Sequence, residues 1–146
     1  MNRIDNLQNQ VDELSSQLAD TRAQLEHFIE FAPLSIYIKD EQLKYQLMNN
    51  TGLETIGKNE DDIVGKTDFD LFPAPVARRI SKREQQVLET GRTIQFDGVL
   101  PLENETRYYF SATLFPIDRD GKIIGLIGLV EDHTDLHTSE RALSQQ

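Results

Sequence analysis

Apolar residues recur on a strict heptad over the first part of the chain. Ile4, Val11, Leu18 and Leu25 fall at a, Leu7, Leu14 and Phe28 at d, and Thr21 interrupts at d. The flanking positions are Gln, Arg and Ser, and no Gly or Pro occurs before Pro33. A narrow stripe of period 3.5 predicts a coiled-coil helix of about four heptads, roughly 42 Å long. A stripe of that width cannot bury itself. This favours a parallel homodimer through the N-terminal helix over a helix folded back on its own domain. Pro33 ends the seam, because the residue before a proline is pushed out of the helical region.

Beyond Pro33 the period drops to two. Leu34 to Ile38 alternates as a strand, Asp40 and Glu41 turn, and Leu43 to Met48 alternates as its hairpin partner. Asn49, Asn50 and Thr51 offer a cap for a short helix stopped by Gly57, and Asn59 opens another that Gly65 ends. Residues 66–73 read as an irregular loop. Pro75 suits the start of a helix running to Glu89 and closed by Gly91. Val76, Ile80, Val87 and Leu88 form its apolar stripe, and Arg78, Arg79, Lys82 and Arg83 its basic face, read first as solvated. Three strands follow: Thr93 to Leu100, Arg107 to Pro116 and Lys122 to Glu131. Glu103-Asn104-Glu105 joins the first two. Asp120-Gly121 between the last two is a strong hairpin signal, since glycine supplies the positive φ of the turn. The last strand is too apolar to have a wet face, and Gly125 and Gly128 let a neighbour come close. Asp135 is predicted to cap a last helix still running at Gln146.

The expected architecture is therefore α+β, a five-stranded antiparallel sheet with helices on one face. It divides into 1–30, a coiled-coil dimerisation helix; 31–134, the globular domain; and 135–146, the start of a C-terminal connector helix. Composition narrows the function. The net charge of -10 argues against nucleic acid and anionic membrane as partners. With no cysteine there is no disulfide, thiolate metal site or cysteine nucleophile. No run approaches a membrane span and no secretory signal is visible, so a cytoplasmic location is expected.

Several stretches in this order resemble a PAS domain, over roughly Glu30 to Leu136. Phe31-Ala32-Pro33 leads into the first strand, and Gly65-Lys66-Thr67-Asp68-Phe69-Asp70-Leu71-Phe72-Pro73 is similar to a segment common in bacterial members. Val87-Leu88-Glu89-Thr90-Gly91 resembles the end of the family's long helix. Asp120-Gly121 fits its last hairpin, and Asp132-His133-Thr134 resembles the Asp-Ile-Thr signature that closes the last strand. The resemblance implies a small apolar pocket between sheet and helices, and flanking helices that pair across a dimer. It implies that Asp132 and Thr134 tie the last strand to the exit helix. His133 stands where the family has Ile, and a solvent-facing imidazole is expected.

Cofactors are tested against the same resemblance. The light-oxygen-voltage branch needs a cysteine where this chain reads Gly65-Lys66-Thr67-Asp68, and a Gln where it has Val130. Covalent haem and thioester chromophores also need cysteine. No His occurs at 76–100 to hold haem; His27, His133 and His137 lie near the ends. The reading is no bound cofactor, with haem and flavin argued against and a small apolar or weakly polar metabolite as the possible occupant. Candidate pocket residues are Ile36, Ile38, Met48, Leu53, Phe69, Phe72, Ile80, Phe110, Leu126 and Val130. Each also suits plain core packing. Tyr37, Tyr45, Tyr108 and Tyr109 could orient a polar atom. Asp68 and Asp70 are a close carboxylate pair that could hold a divalent cation or act as acid and base, but no nucleophile is spaced to join them. The expected function is a non-enzymatic sensory and dimerisation module of a bacterial signal-transduction protein, a sensor histidine kinase or diguanylate cyclase. Its output domain would be a partner outside this chain. The alternatives are a scaffold that only dimerises, and a haem- or flavin-binding sensor.

Overall fold

The computed structural model describes residues 2–101 and 107–134. The chain divides into two compact units, Met1–Phe31 and Ala32–Gln146. The first is helix α1 (Arg3–Phe31), none of whose residues is buried. The apolar seam is exposed along its length, from Ile4 at 74% to Leu14 at 64% and Phe28 at 66%. Propensity and exposed i,i+4 contacts such as Gln8 to Asp12 at 3.0 Å give a helix this long only weak support in isolation. An apolar seam this exposed is the physical case for a partner.

The second unit runs β1 (Ser35–Asp40), β2 (Tyr45–Met48), α2 (Asn50–Ile56), a 3-10 turn (Glu60–Asp62), α3 (Asp68–Leu71), α4 (Ala74–Thr90), β3 (Ile94–Pro101), β4 (Arg107–Arg119) and β5 (Lys122–Asp132). The strands form one antiparallel sheet in the order β2-β1-β5-β4-β3. The β4–β5 hairpin is longer than the sequence pattern indicated. Pairing continues to Arg119 and Lys122, leaving a two-residue turn in which Asp120 (φ 54°) and Gly121 (φ 82°) both have positive φ. That geometry matches the right-handed twist of the strands. The predicted loop at 66–73 contains a helical turn, α3, capped by Thr67, whose backbone N–H donates to Asp70 Oδ2 at 3.0 Å. The turn expected at 103–105 and the helix expected from Asp135 lie outside the described residues.

Strand register decides what the helices cover. Pairing Tyr37 with Gly128 and Met48, Lys39 with Leu126 and Tyr45, and Gly128 with Leu114 puts these residues on one face. Ile63 from the turn after α2 and Val87 from α4 pack on that face, both with no exposure. Val76 of α4 packs with Leu100 and Tyr108 further along it. Gly128 is required by this packing: a Cβ there would overlap the Tyr37 ring. The close approach foreseen at Gly128 is thus to an aromatic ring on the neighbouring strand. Asn49 joins sheet and helix. Fully buried, its side chain accepts from the N–H groups of Ile36 (2.9 Å) and Gly52 (3.1 Å) and donates to Leu34 O (2.9 Å).

Candidate functional site

The inner face carries a charge cluster beside a small cavity. Lys39 is a strand residue whose neighbour Ile38 points to the opposite face, so alternation turns its stem inward. Its ammonium lies 2.5 Å from Asp68 Oδ2 and 2.6 Å from Glu84 Oε1, with almost no side-chain exposure on any of the three. Tyr45 donates to Asp68 Oδ1 at 2.5 Å, and Tyr37 to Glu84 Oε2 at 2.9 Å. The ammonium also sits over the Tyr45 ring at 4.3 Å, and the two tyrosine rings meet edge-on at 5.6 Å. Each charged group therefore has hydrogen-bonding partners, which buried charges need.

Two carboxylates around one ammonium leave an excess negative charge if both ionise. Burial pushes the Glu84 carboxyl up from 4.5 to about 7, Lys39 pulls against that, and the Asp68 charge adds to it. Burial, reinforced by the neighbouring carboxylates, raises the Tyr37 and Tyr45 phenols well above 10, so both remain hydrogen-bond donors. Near neutrality the cluster exchanges a proton at Glu84.

The cavity of about 90 Å³ lies against the two tyrosines and extends away from the ion cluster. Its walls are mainly apolar, including Met48, Phe72, Ile80, Ala112 and Val130. Its polar groups include the hydroxyls of Ser35 and Thr55, both of which interact with Tyr108. Burial raises the Tyr108 phenol, an effect that these two hydroxyls oppose. This polar end could orient one donor or acceptor of a small bound molecule.

Five of the ten candidate pocket residues line this cavity: Met48, Phe72, Ile80, Phe110 and Val130. The others do not. Ile36 and Ile38 lie on the outer face, because the inner positions of β1 are Ser35, Tyr37 and Lys39. Leu53 and Leu126 belong to the packed core, and Phe69 is 51% exposed. Tyr37, Tyr45 and Tyr108 face the cavity. Asp68 and Asp70 do not act as a pair: one binds Lys39 and Tyr45, while the other caps Thr67. No group of three or more His, Asp or Glu able to hold a metal occurs among the described residues. Lys39 and Glu84 were missed, although signals existed. Glu84 interrupts the stripe Val76, Ile80, Val87 at the spacing of a buried position, and Lys39 shares its strand parity with Tyr37.

At the exit of the sheet, Asp132 Oδ1 accepts from the Thr134 N–H at 2.8 Å, and the Thr134 hydroxyl oxygen accepts from the Tyr109 N–H at 3.1 Å. His133 donates its N–H to Tyr109 O at 2.8 Å. Its ring is half-buried rather than solvent-facing, with Nε2 3.5 Å from Glu131. The chain leaving β5 is thereby fastened to β4.

Comparison with known proteins accords with this geometry. A family model described as the PAS fold matches residues 29–138. The chain is similar to the uncharacterised protein y4lL of Sinorhizobium fredii, 28% identical over 126 residues, which covers 83% of this chain and 15% of that protein. It is similar to a diguanylate cyclase of Vibrio cholerae, 29% identical over 104 residues, which covers 69% of this chain and 32% of that protein. It thus spans about a third or less of the length of these curated relatives. Among solved structures it resembles VqmA of Vibrio cholerae in a complex with ligand and DNA, with TM-score 0.70 and 25% identity over 85% of this chain and 59% of that one. No helix among the described residues is long and apolar enough to cross a membrane. With most of its length matched by one family model, and with a five-stranded antiparallel sheet to go with it, this chain belongs to the PAS family.

Proposed function

We propose that this chain is the sensory and dimerising module of a bacterial signal-transduction protein, of the histidine kinase or diguanylate cyclase class. It catalyses no reaction itself, works in the cytoplasm and passes the state of its cavity to an output domain through its flanking helices. One observation carries this reading: the cavity wall and the exit joint share two adjacent strands. Val130 lines the cavity two residues before Asp132, and Tyr108 lines it one residue before Tyr109, which binds Thr134. A molecule that moves either wall residue strains the joint directly. The exposed seam of α1 supports a parallel dimer, which would carry that strain along paired helices. The occupant that fits is a small, weakly polar metabolite rather than haem or flavin, since a volume of about 90 Å³ is smaller than the ~150 Å³ that admits benzene in an apolar core.

The test is native mass spectrometry of the protein purified from cells, with a visible spectrum of the same sample. A co-purifying small molecule without visible absorption is expected. A bare polypeptide mass, together with an output domain indifferent to filling the cavity through Ala112→Leu, would leave only a dimerising scaffold.

A further inference from the structure

Outside the cavity, a groove of about 390 Å³ runs between α4 and the edge strand β3. Its floor is apolar, built from Val76, Ile80, Phe96 and Phe110. Its rim is cationic. Arg79, Lys82 and Arg83 stand three and four residues apart on one helix face, and all three line the groove. None of them forms an ion pair among the described residues. The single acid lining the groove among the described residues is Asp97, whose carboxylate accepts the Ser111 hydroxyl at 2.5 Å. In a chain of net charge -10, three cations that have no carboxylate partner among the described residues, around one apolar groove, are a local reversal of sign.

The groove shares a wall with the cavity, because Ile80, Phe96, Leu100 and Phe110 line both. Phe96 and Phe110 meet edge-on at 6.0 Å and 81° in that shared wall. Arg83 lies over the Phe96 face at 4.0 Å, which holds its guanidinium plane in place, and its donors have no carboxylate among the described residues.

We propose that this groove binds an organic anion, a flat apolar body bearing a carboxylate. The body lies against Phe96 and Phe110, and the carboxylate is held by Arg79, Lys82 and Arg83. The proposal rests on the sensor reading, since a molecule in the groove presses on residues that also wall the cavity. It adds a second ligand class beside the weakly polar occupant of the cavity, an anion held on the outer side of the shared wall. The field of the three cations also concentrates anions at this mouth of an otherwise acidic surface.

The experiment is calorimetric titration of the full chain with naphthalene-2-carboxylate and with its neutral isostere naphthalene-2-carboxamide. The carboxylate is expected to bind about tenfold tighter, with an advantage that shrinks as salt is raised. The combined variant Arg79→Gln, Lys82→Gln, Arg83→Gln should erase the preference. Arg78→Gln, on the same helix but outside the groove, should retain it. Equal binding of the two probes, or a preference that survives the triple substitution, overturns the proposal. So does a change of oligomeric state in the triple variant with carboxylate binding unchanged, which would give the groove to a second copy. The two readings fail separately. A charge-dependent preference in a protein that carries no molecule from cells keeps the groove and removes the sensor. A co-purified molecule retained by the triple variant, with no preference between the probes, does the reverse.

Discussion

The Lys39 ammonium and the Glu84 carboxylate lie 2.6 Å apart with no exposure of either side chain, although 45 residues separate them in sequence. Their contact joins β1 to the middle of α4. Asp68 completes the cluster from α3, so three elements are fixed by one ammonium. Deleting that ammonium should leave two carboxylates buried without a counter-charge. Lys39→Met is expected to cost about 3–5 kcal/mol. Combining it with Asp68→Asn and Glu84→Gln should recover much of the loss. Urea denaturation of the two variants checks this, and equal midpoints would contradict it.

The raised carboxyl of Glu84 makes stability depend on pH. Its folded value of about 7 lies above the ordinary 4.5, so the folded state holds a proton that the unfolded state releases. The group's contribution is full below pH 4.5 and is lost as pH rises towards 7. Between those limits it removes up to ~1.4 kcal/mol per pH unit. Thermal melts of the wild type and Glu84→Gln across this range should show the wild type losing ground to the variant as pH increases. Parallel curves would mean that Glu84 is ionised throughout.

The exposed seam of α1 should hold the dimer. Leu14 and Leu18 are 64% and 62% exposed in the single chain, so Leu14→Asp or Leu18→Asp removes no contact within the globular unit. Sedimentation should report a monomer with the melting transition of that unit retained. An unchanged dimer would place the interface elsewhere.

The exit joint should be separable from the fold. Asp132→Ala removes the acceptor for the Thr134 N–H, a loss of about 1 kcal/mol by analogy with a helix cap. Once the module is fused to an output domain, this variant should stay folded but stop responding to cavity occupancy. Thr134→Ser, which keeps the oxygen that binds the Tyr109 N–H, should still respond.

Gly128 tests the packing of the inner face. Gly128→Ala drives a methyl into the Tyr37 ring and should destabilise by about 2–3 kcal/mol. It should also weaken the Tyr37–Glu84 hydrogen bond, which holds the Glu84 carboxyl down, so the fall of stability with pH should extend to higher pH than in the wild type, further from the profile of Glu84→Gln.

Local rules wrote much of this molecule into its sequence. The heptad fixes a long helix with one apolar seam, because 3.5-residue spacing is a property of neighbours along the chain. Asp120-Gly121 fixes a hairpin, because the positive φ of its turn is a backbone matter. Together with the ordered short stretches, these were enough for the five strands and the family. Which way each strand faces was not a local matter. Ile36 and Ile38 are the more apolar residues of β1, yet Tyr37 and Lys39 point inward. The reason lies in Asp68 and Glu84, far along the chain, whose charges and hydrogen bonds make an inward lysine tolerable. Burial, the raised Glu84 carboxyl and the places of the five expected pocket residues that do not line the cavity all depend on distances between elements, which only the assembled sheet and helices set.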